Sequence, residues 1–227
     1  MSAPTSIISI VDPRVLAIPI VENDEPLVEL KTQTDIAYGP SPEIPDNKDY
    51  TKMRQTVYAS LCEAQALLPK GLRLCLYEGY RSLELQSYLF DTHFSEIQKL
   101  HPEWSTDNIF DETTKLVSPL INKDGSPNIP AHSTGGAVDV YLVDITGKAV
   151  DMGILVKDWM EDRDGSLSQT DSHLISGEAQ EHRKIMARAL SSVGFINYPT
   201  EYWHWSYGDR YWAYHTTHPH ALYGSVK

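Results

Sequence analysis

The sequence predicts one globular domain that mixes helices with strands, and three observations carry that expectation. The chain is 227 residues long with 41% hydrophobic positions, enough for one sizeable core. Segments of helical periodicity alternate with short apolar runs that suit buried strands. There is no internal repeat, low-complexity tract or linker to divide the chain, so residues 1–227 are expected to form one unit.

In order along the chain, residues 1–49 hold many of the breakers, including Pro13, Pro19, Pro26, Pro40, Pro42 and Pro45. They read as a wrapping arm with one or two strands, among them an extended run from Val15 to Val21. Residues 49–68 bring Met53, Val57, Leu61, Ala64 and Leu68 to one helical face, and Pro69-Lys70-Gly71 stops the helix. Leu72 to Tyr77 suits a buried strand that delivers the chain into Glu78-Gly79-Tyr80-Arg81. Ser82 is placed to cap a helix running to Leu100, and a shorter helix is expected within residues 106–116. Residues 121–130 read as a loop, and Val138 to Val143 as a β-branched and aromatic strand. The polar, acidic stretch 157–172 has no sustained period and is expected to be a mobile surface loop. Ser176 to Val193 is the last strong helix, with Gly194 in position for a left-handed cap.

Composition excludes several functions. Nineteen Lys and Arg stand against 31 Asp and Glu, a net charge of -12, so no cationic surplus is available for a nucleic-acid backbone. No apolar run near the N-terminus is long enough for a signal-peptide core or a membrane span, and the expected compartment is the cytoplasm. Cys62 and Cys75 read as small core residues rather than a disulfide framework. Neither a phosphate loop nor a dinucleotide fingerprint is present.

Two segments combine metal-binding side chains with unusual surroundings. In His132-Ser-Thr-Gly-Gly-Ala-Val-Asp139 an imidazole and a carboxylate can converge on one ion if Gly135 and Gly136 allow a tight reversal. In Glu201-Tyr-Trp-His204 the two side chains can share a site only if the backbone turns, because strand alternation would send them to opposite faces. Together they supply three ligands and a spare Glu, the set of a catalytic zinc with an open fourth position. Ser133 and Thr134 could bind a substrate carboxylate or merely cap the turn. His215, His218 and His220 read as a solvated tail, and the role of His173 stays open.

These motifs, His132-x-x-Gly135-x-Ala137-x-Asp139, Glu201-x-Trp203-His204 and the preceding Glu78-Gly79-Tyr80-Arg81, resemble the signature of the zinc D-alanyl-D-alanine dipeptidases. The likeness extends from about Ile18 to Trp212. It implies a compact α+β domain with a central, largely antiparallel sheet flanked by helices, a scaffold shared with D,D-carboxypeptidases and hedgehog domains. By position it implies one zinc ion on His132, Asp139 and His204, with Glu201 as acid and base and Arg81 facing the oxyanion. The bland alternative for Arg81 is an ordinary salt bridge.

The chain departs from the family pattern at two points. Pro130 stands where the family has Ser, and Lys157 stands where an acid would bind the substrate ammonium, with Asp158 one place late. Either Asp158 serves, or Glu161, Asp162 or Asp164 does, or the substrate differs. The expected function is hydrolysis of small dipeptides, with D-Ala-D-Ala foremost. The alternatives are a peptidase trimming peptidoglycan fragments and a zinc-binding recognition domain without catalysis.

Overall fold

The computed structural model describes residues 7–42, 44–45, 47–162 and 164–226, so parts of the arm at 1–6, 43 and 46 lie outside the described residues. Its strands are β1 (Leu27–Glu29), β2 (Ala37–Tyr38), β3 (Lys52–Arg54), β4 (Leu72–Glu78), β5 (Ala137–Asp144), β6 (Ile196–Asn197) and β7 (His204–Ser206). Its helices are α1 (Pro13–Leu16), α2 (Gln55–Leu67), α3 (Leu83–Leu100), α4 (Thr106–Thr113), α5 (Gly177–Ser192) and α6 (Arg210–Thr216). The central sheet runs β2-β4-β5-β7-β6, with β2 parallel to β4 and every other neighbour antiparallel. The fold is therefore α+β with a largely antiparallel sheet, and β1 and β3 form a second, two-stranded ribbon.

Hydrophobic patterning accounts for the layers. β4 and β5 bury Leu74, Leu76, Val140 and Leu142, and α2 and α5 lay Val57, Leu61, Met186 and Leu190 against them in one core cluster. The arm joins this core through Leu30 and Ile36, while Val15 packs with Tyr198 and Tyr211 in a smaller cluster. Ser82, Ser105 and Ser176 cap α3, α4 and α5 by accepting backbone N–H bonds, which fixes where each helix begins. Gly194 takes φ +95° just past the end of α5, as its position in the sequence suggested.

The structure corrects four local expectations. The helix foreseen from residue 49 starts only at Gln55, because Lys52–Arg54 pairs with β1 as a strand and buries Met53 from that extended backbone. The extended run from Val15 gives way to one helical turn, α1, nucleated by Pro13 at its first position and by the Asp12 carboxylate accepting from the Arg14 N–H at 2.9 Å. The stretch 157–172 is packed rather than loose. A 3-10 turn (Val156–Glu161) buries Val156, and the Asp162 carboxylate accepts from the backbone of Leu167 and Ser168. The buried Arg183 of α5 donates to the Gln169 carbonyl, closing the same stretch from below. The tail expected at His215, His218 and His220 is only partly solvated: His215 is exposed on α6, His218 and His220 are half-buried, and the chain goes on to the buried Ala221 and Tyr223, Ala221 bridging in parallel to Ile20.

Cys62 and Cys75 are both free thiols, Cys75 buried and Cys62 half-buried. Among the described residues no helix is long and apolar enough to cross a membrane.

Candidate active site

Strand register sets the first pair of donors. β5 and β7 run antiparallel with Asp139 opposite His204, so both side chains leave the same face of the sheet. His132 arrives from the 3-10 turn Ala131–Thr134 just before β5. Thr134 closes that turn, donating its hydroxyl to the Ala131 carbonyl at 2.6 Å and accepting from the Gly136 N–H at 2.9 Å, so the capping alternative is the one realised for Thr134. Gly135 leaves the turn at φ +71°, where a side chain would be strained and would also strike Leu27.

These elements bring three buried donor atoms together. His132 Nε2 lies 3.2 Å from His204 Nδ1 and 3.4 Å from Asp139 Oδ1, and His204 Nδ1 lies 3.1 Å from Asp139 Oδ1. Four donors at about 2.0–2.1 Å from a tetrahedral zinc are spaced by roughly 3.3 Å, so the three distances match three corners of such a site. The tautomer of His132 is set as well: its Nδ1 faces the Gly79 carbonyl at 2.8 Å, and a carbonyl only accepts, so Nδ1 carries the hydrogen and Nε2 offers its lone pair. His204 Nε2 is buried without a hydrogen-bond partner, which leaves Nδ1 as the nitrogen turned to the triangle.

Charge fits a cation at this point. Burial opposes ionisation of Asp139, yet the two imidazoles override it and hold the carboxyl below the ordinary carboxylate range. The chemistry of the donor set, two imidazoles and one anionic carboxylate, suits zinc.

Glu201 reaches the same place because it is not in a strand. Its N–H donates to the Tyr198 carbonyl at 2.9 Å, and the His204 N–H donates to the Glu201 carbonyl at 3.1 Å, making a turn that ends where β7 begins. Asn197 fastens this turn with its side-chain amide, donating to the carbonyls of Glu201 and His204 at 3.1 and 3.0 Å. Loss of hydration pushes the Glu201 carboxyl up to about 7; His204 and Arg81 oppose that rise, and the Trp203 indole N–H donates to it at 3.1 Å.

Arg81 follows β4 and is held from several sides. Nε donates to Glu78 Oε1 at 3.0 Å, Nη2 pairs with Glu78 Oε2, and Nη1 donates to Gln86 Oε1 at 3.0 Å. Glu78 is completely buried, so the guanidinium is locked on a carboxylate that has no water of its own. Glu78, Gln86, Gly79 and Asn197 were given no role from the sequence. The Glu78-x-x-Arg81 spacing was the available signal for the first, whereas the reach of Gln86, one turn into α3, and of Asn197 follows only from the fold.

The cleft over this site has two unequal lobes that share Arg81, Asp139 and Glu201. The larger, about 230 Å³, is walled by α3 and the 3-10 turn at Val156–Glu161; the smaller, about 60 Å³, lies toward Pro130, Ala131 and Tyr198. Asp158 is not part of either wall. Its carboxylate sits 3.7 Å from Lys157 Nζ, while Val156, Trp159 and Met160 of the same turn line the larger lobe. Glu161, Asp162 and Asp164 do not line it either. Ser133 is fully buried with its hydroxyl unpartnered, and it lines neither lobe. His173 is exposed.

The family model described as Peptidase_M15, D-ala-D-ala dipeptidase, matches residues 46–222. A D-alanyl-D-alanine dipeptidase of Synechocystis sp. (strain ATCC 27184 / PCC 6803 / Kazusa) is 29% identical over 240 residues, covering 93% of this chain and 96% of that protein. Among solved structures, the LdcB LD-carboxypeptidase is similar with a TM-score of 0.42 at 18% identity, over 88% of this chain and 76% of that one. VanYB, solved in complex with D-alanine-D-alanine, gives 0.43 at 16% identity over 90% and 93%.

Proposed function

Because this chain belongs to the D-Ala-D-Ala dipeptidase family of M15 peptidases, we propose that it hydrolyses small D-amino-acid dipeptides, D-Ala-D-Ala foremost, using one zinc ion held by His132, Asp139 and His204. The observation that carries this reading is the triangle of buried donors at 3.1, 3.2 and 3.4 Å, with Glu201 and Arg81 in the same cleft. When bound, zinc supplies Lewis acidity, polarising a carbonyl and acidifying water.

The chain's own groups supply the rest. Glu201 takes the proton of the attacking water on its carboxylate and returns it to the amine that leaves as the peptide bond breaks. Burial raises its pKa and so strengthens the carboxylate as a base, which suits the first half of that exchange. Arg81, fixed by Glu78 and Gln86 before any substrate arrives, faces the negative charge that develops on the scissile carbonyl oxygen. Such preorganisation removes the cost of orienting a donor during the reaction. A pure recognition domain has no need of a proton-accepting carboxyl beside its metal ligands. A substrate role for Ser133 or Asp158 would require their segments to move, since neither lines the cleft.

We take residues 1–227 as one domain, supported by a main core that draws on residues from Leu30 to Tyr223. The cytoplasm is the compartment that fits two free thiols, and a net charge of -12 disfavours a nucleic-acid partner.

The test is release of free amino acid from D-Ala-D-Ala, L-Ala-D-Ala, L-Ala-L-Ala and N-acetyl-D-Ala-D-Ala, on one preparation assayed for bound metal, with and without chelator. Chelator-sensitive cleavage of D-Ala-D-Ala but not of its acetylated form is the expected result. Cleavage of the acetylated peptide would make the protein a carboxypeptidase, and stoichiometric zinc with no cleavage at all would overturn the hydrolytic reading.

A further inference from the structure

The two lobes of the cleft differ in chemistry as well as in size. The larger has an apolar wall of Tyr77, Leu89, Val117, Val156, Trp159 and Met160, although polar groups make up nearly half of its surface. It also presents Glu96, while His93 beside it leaves a buried, unpartnered Nδ1 3.9 Å from the Glu96 carboxylate. Among the described residues its lining contains no lysine, and the arginine it holds is the shared Arg81. The smaller lobe is lined by Gln86, Thr114, Lys115 and Ser118, and it contributes no acid beyond the shared Asp139 and Glu201.

A dipeptide zwitterion has one cationic and one anionic end, so it has a preferred direction across such a cleft. Its ammonium end belongs on the side that carries Glu96 and its carboxylate end on the side whose described lining adds no acid of its own, Lys115 there being exposed and already paired with Glu112 at 2.7 Å. The scissile carbonyl then lies over the shared waist of Arg81, Asp139 and Glu201. The lobe volumes, about 230 and 60 Å³, turn that direction into a size preference: more room for the side chain of the N-terminal residue than for that of the C-terminal one.

We infer that the preferred substrates are dipeptides with a large apolar N-terminal residue and a small C-terminal residue, the N-terminal side chain lying between α3 and the Trp159 turn. This rests on the dipeptidase reading and sharpens it. It also accounts for the position of Asp158 off the wall, because apolar burial of the first side chain anchors the end of the substrate that a single acid would otherwise hold.

The isomeric pair D-Leu-D-Ala and D-Ala-D-Leu tests the assignment, with D-Ala-D-Ala as internal reference and kcat/KM as the readout. The two isomers have the same composition, so any difference reports which lobe takes the leucine. D-Leu-D-Ala should exceed D-Ala-D-Leu by about tenfold or more, the discrimination that extra methylenes give in an apolar pocket. Thr92 is exposed on α3 and lines the larger lobe, so Thr92→Trp adds bulk there with little risk to folding and should bring the ratio toward one. A wild-type ratio at or below one, or a ratio that Thr92→Trp leaves unchanged, overturns the lobe assignment while leaving the dipeptidase reading intact. Failure to cleave any of the three peptides overturns both.

Discussion

The floor and the wall of the cleft are built on different terms. The floor is sheet and tight turn: His132, Asp139 and His204 are buried, and each is fixed by register, by a closed turn or by a carbonyl behind it. The wall is the outer face of α3 and a 3-10 turn, where Tyr88 and Met160 remain 59% and 56% exposed. A donor misplaced by an ångström ruins a metal site, whereas a side chain on an exposed helix can be exchanged at little cost to folding. The chemistry therefore sits where the backbone cannot move, and the selectivity where residues can change.

The sharpest way to break that contrast is to remove a ligand from the floor. His132→Ala should abolish activity together with stoichiometric zinc, measured by elemental analysis; zinc retained at one per chain would refute the ligand set. Next in size is Glu201→Gln, which should keep zinc yet lower kcat by about 10² to 10⁴. The same carboxyl predicts the pH dependence. Burial raises its pKa to about 7 without an ion and a bound dication lowers it, so kcat/KM of the zinc enzyme should show an acidic limb below 7 that vanishes in Glu201→Gln. The raised value has the opposite sign for stability: the contribution is present below the unfolded value of 4.5 and is lost as pH rises through about 7, so metal-free protein should lose more melting temperature between pH 5.5 and pH 8 than metal-free Glu201→Gln does. Arg81→Ala follows, at about 10² to 10³ in kcat with KM little changed. A dominant KM effect would instead make Arg81 a substrate anchor. The smallest effect belongs to the wall. Trp159→Ala should raise KM for dipeptides with a bulky first residue several-fold and leave zinc content untouched; loss of zinc would show that wall and floor are mechanically one.

The same division governs what could be read before the fold was known. His132, Asp139, Glu201 and His204 stood out because metal chemistry restricts residue type and spacing, and the glycines at 135 and 136 marked the reversal that brings the first two together. The helix α3 was legible from its Ser82 cap and α5 from its periodic apolar face and Gly194. What escaped was cooperation across distant segments. The burial of Glu78 beneath Arg81 depends on β4 pairing with β5, and nothing local to either residue signals it. Residues 157–172 looked loose because their polar side chains suit solvent as readily as buried backbone groups, and only the fold decides which they meet. The wall failed for a related reason: Lys157 and Asp158 are adjacent in sequence to Val156, Trp159 and Met160, but the 3-10 turn directs only those three apolar side chains into the cleft.

The parallel bridge between Ile20 and Ala221 continues into a strap: Gly224 donates to the Glu22 carboxylate at 2.6 Å, and the Val226 N–H donates to the Ser133 carbonyl at 3.1 Å. The turn that carries His132 is thus latched by residues synthesised more than ninety positions later. A nascent chain can pair β4 with β5 while it is still being made, but the hydrogen bond behind Ser133 must wait until residues 221–226 have emerged. Long-range closures of this kind come late in folding. The support behind the His132 turn is in this sense the last to arrive, completed by residues made after every other part of the site.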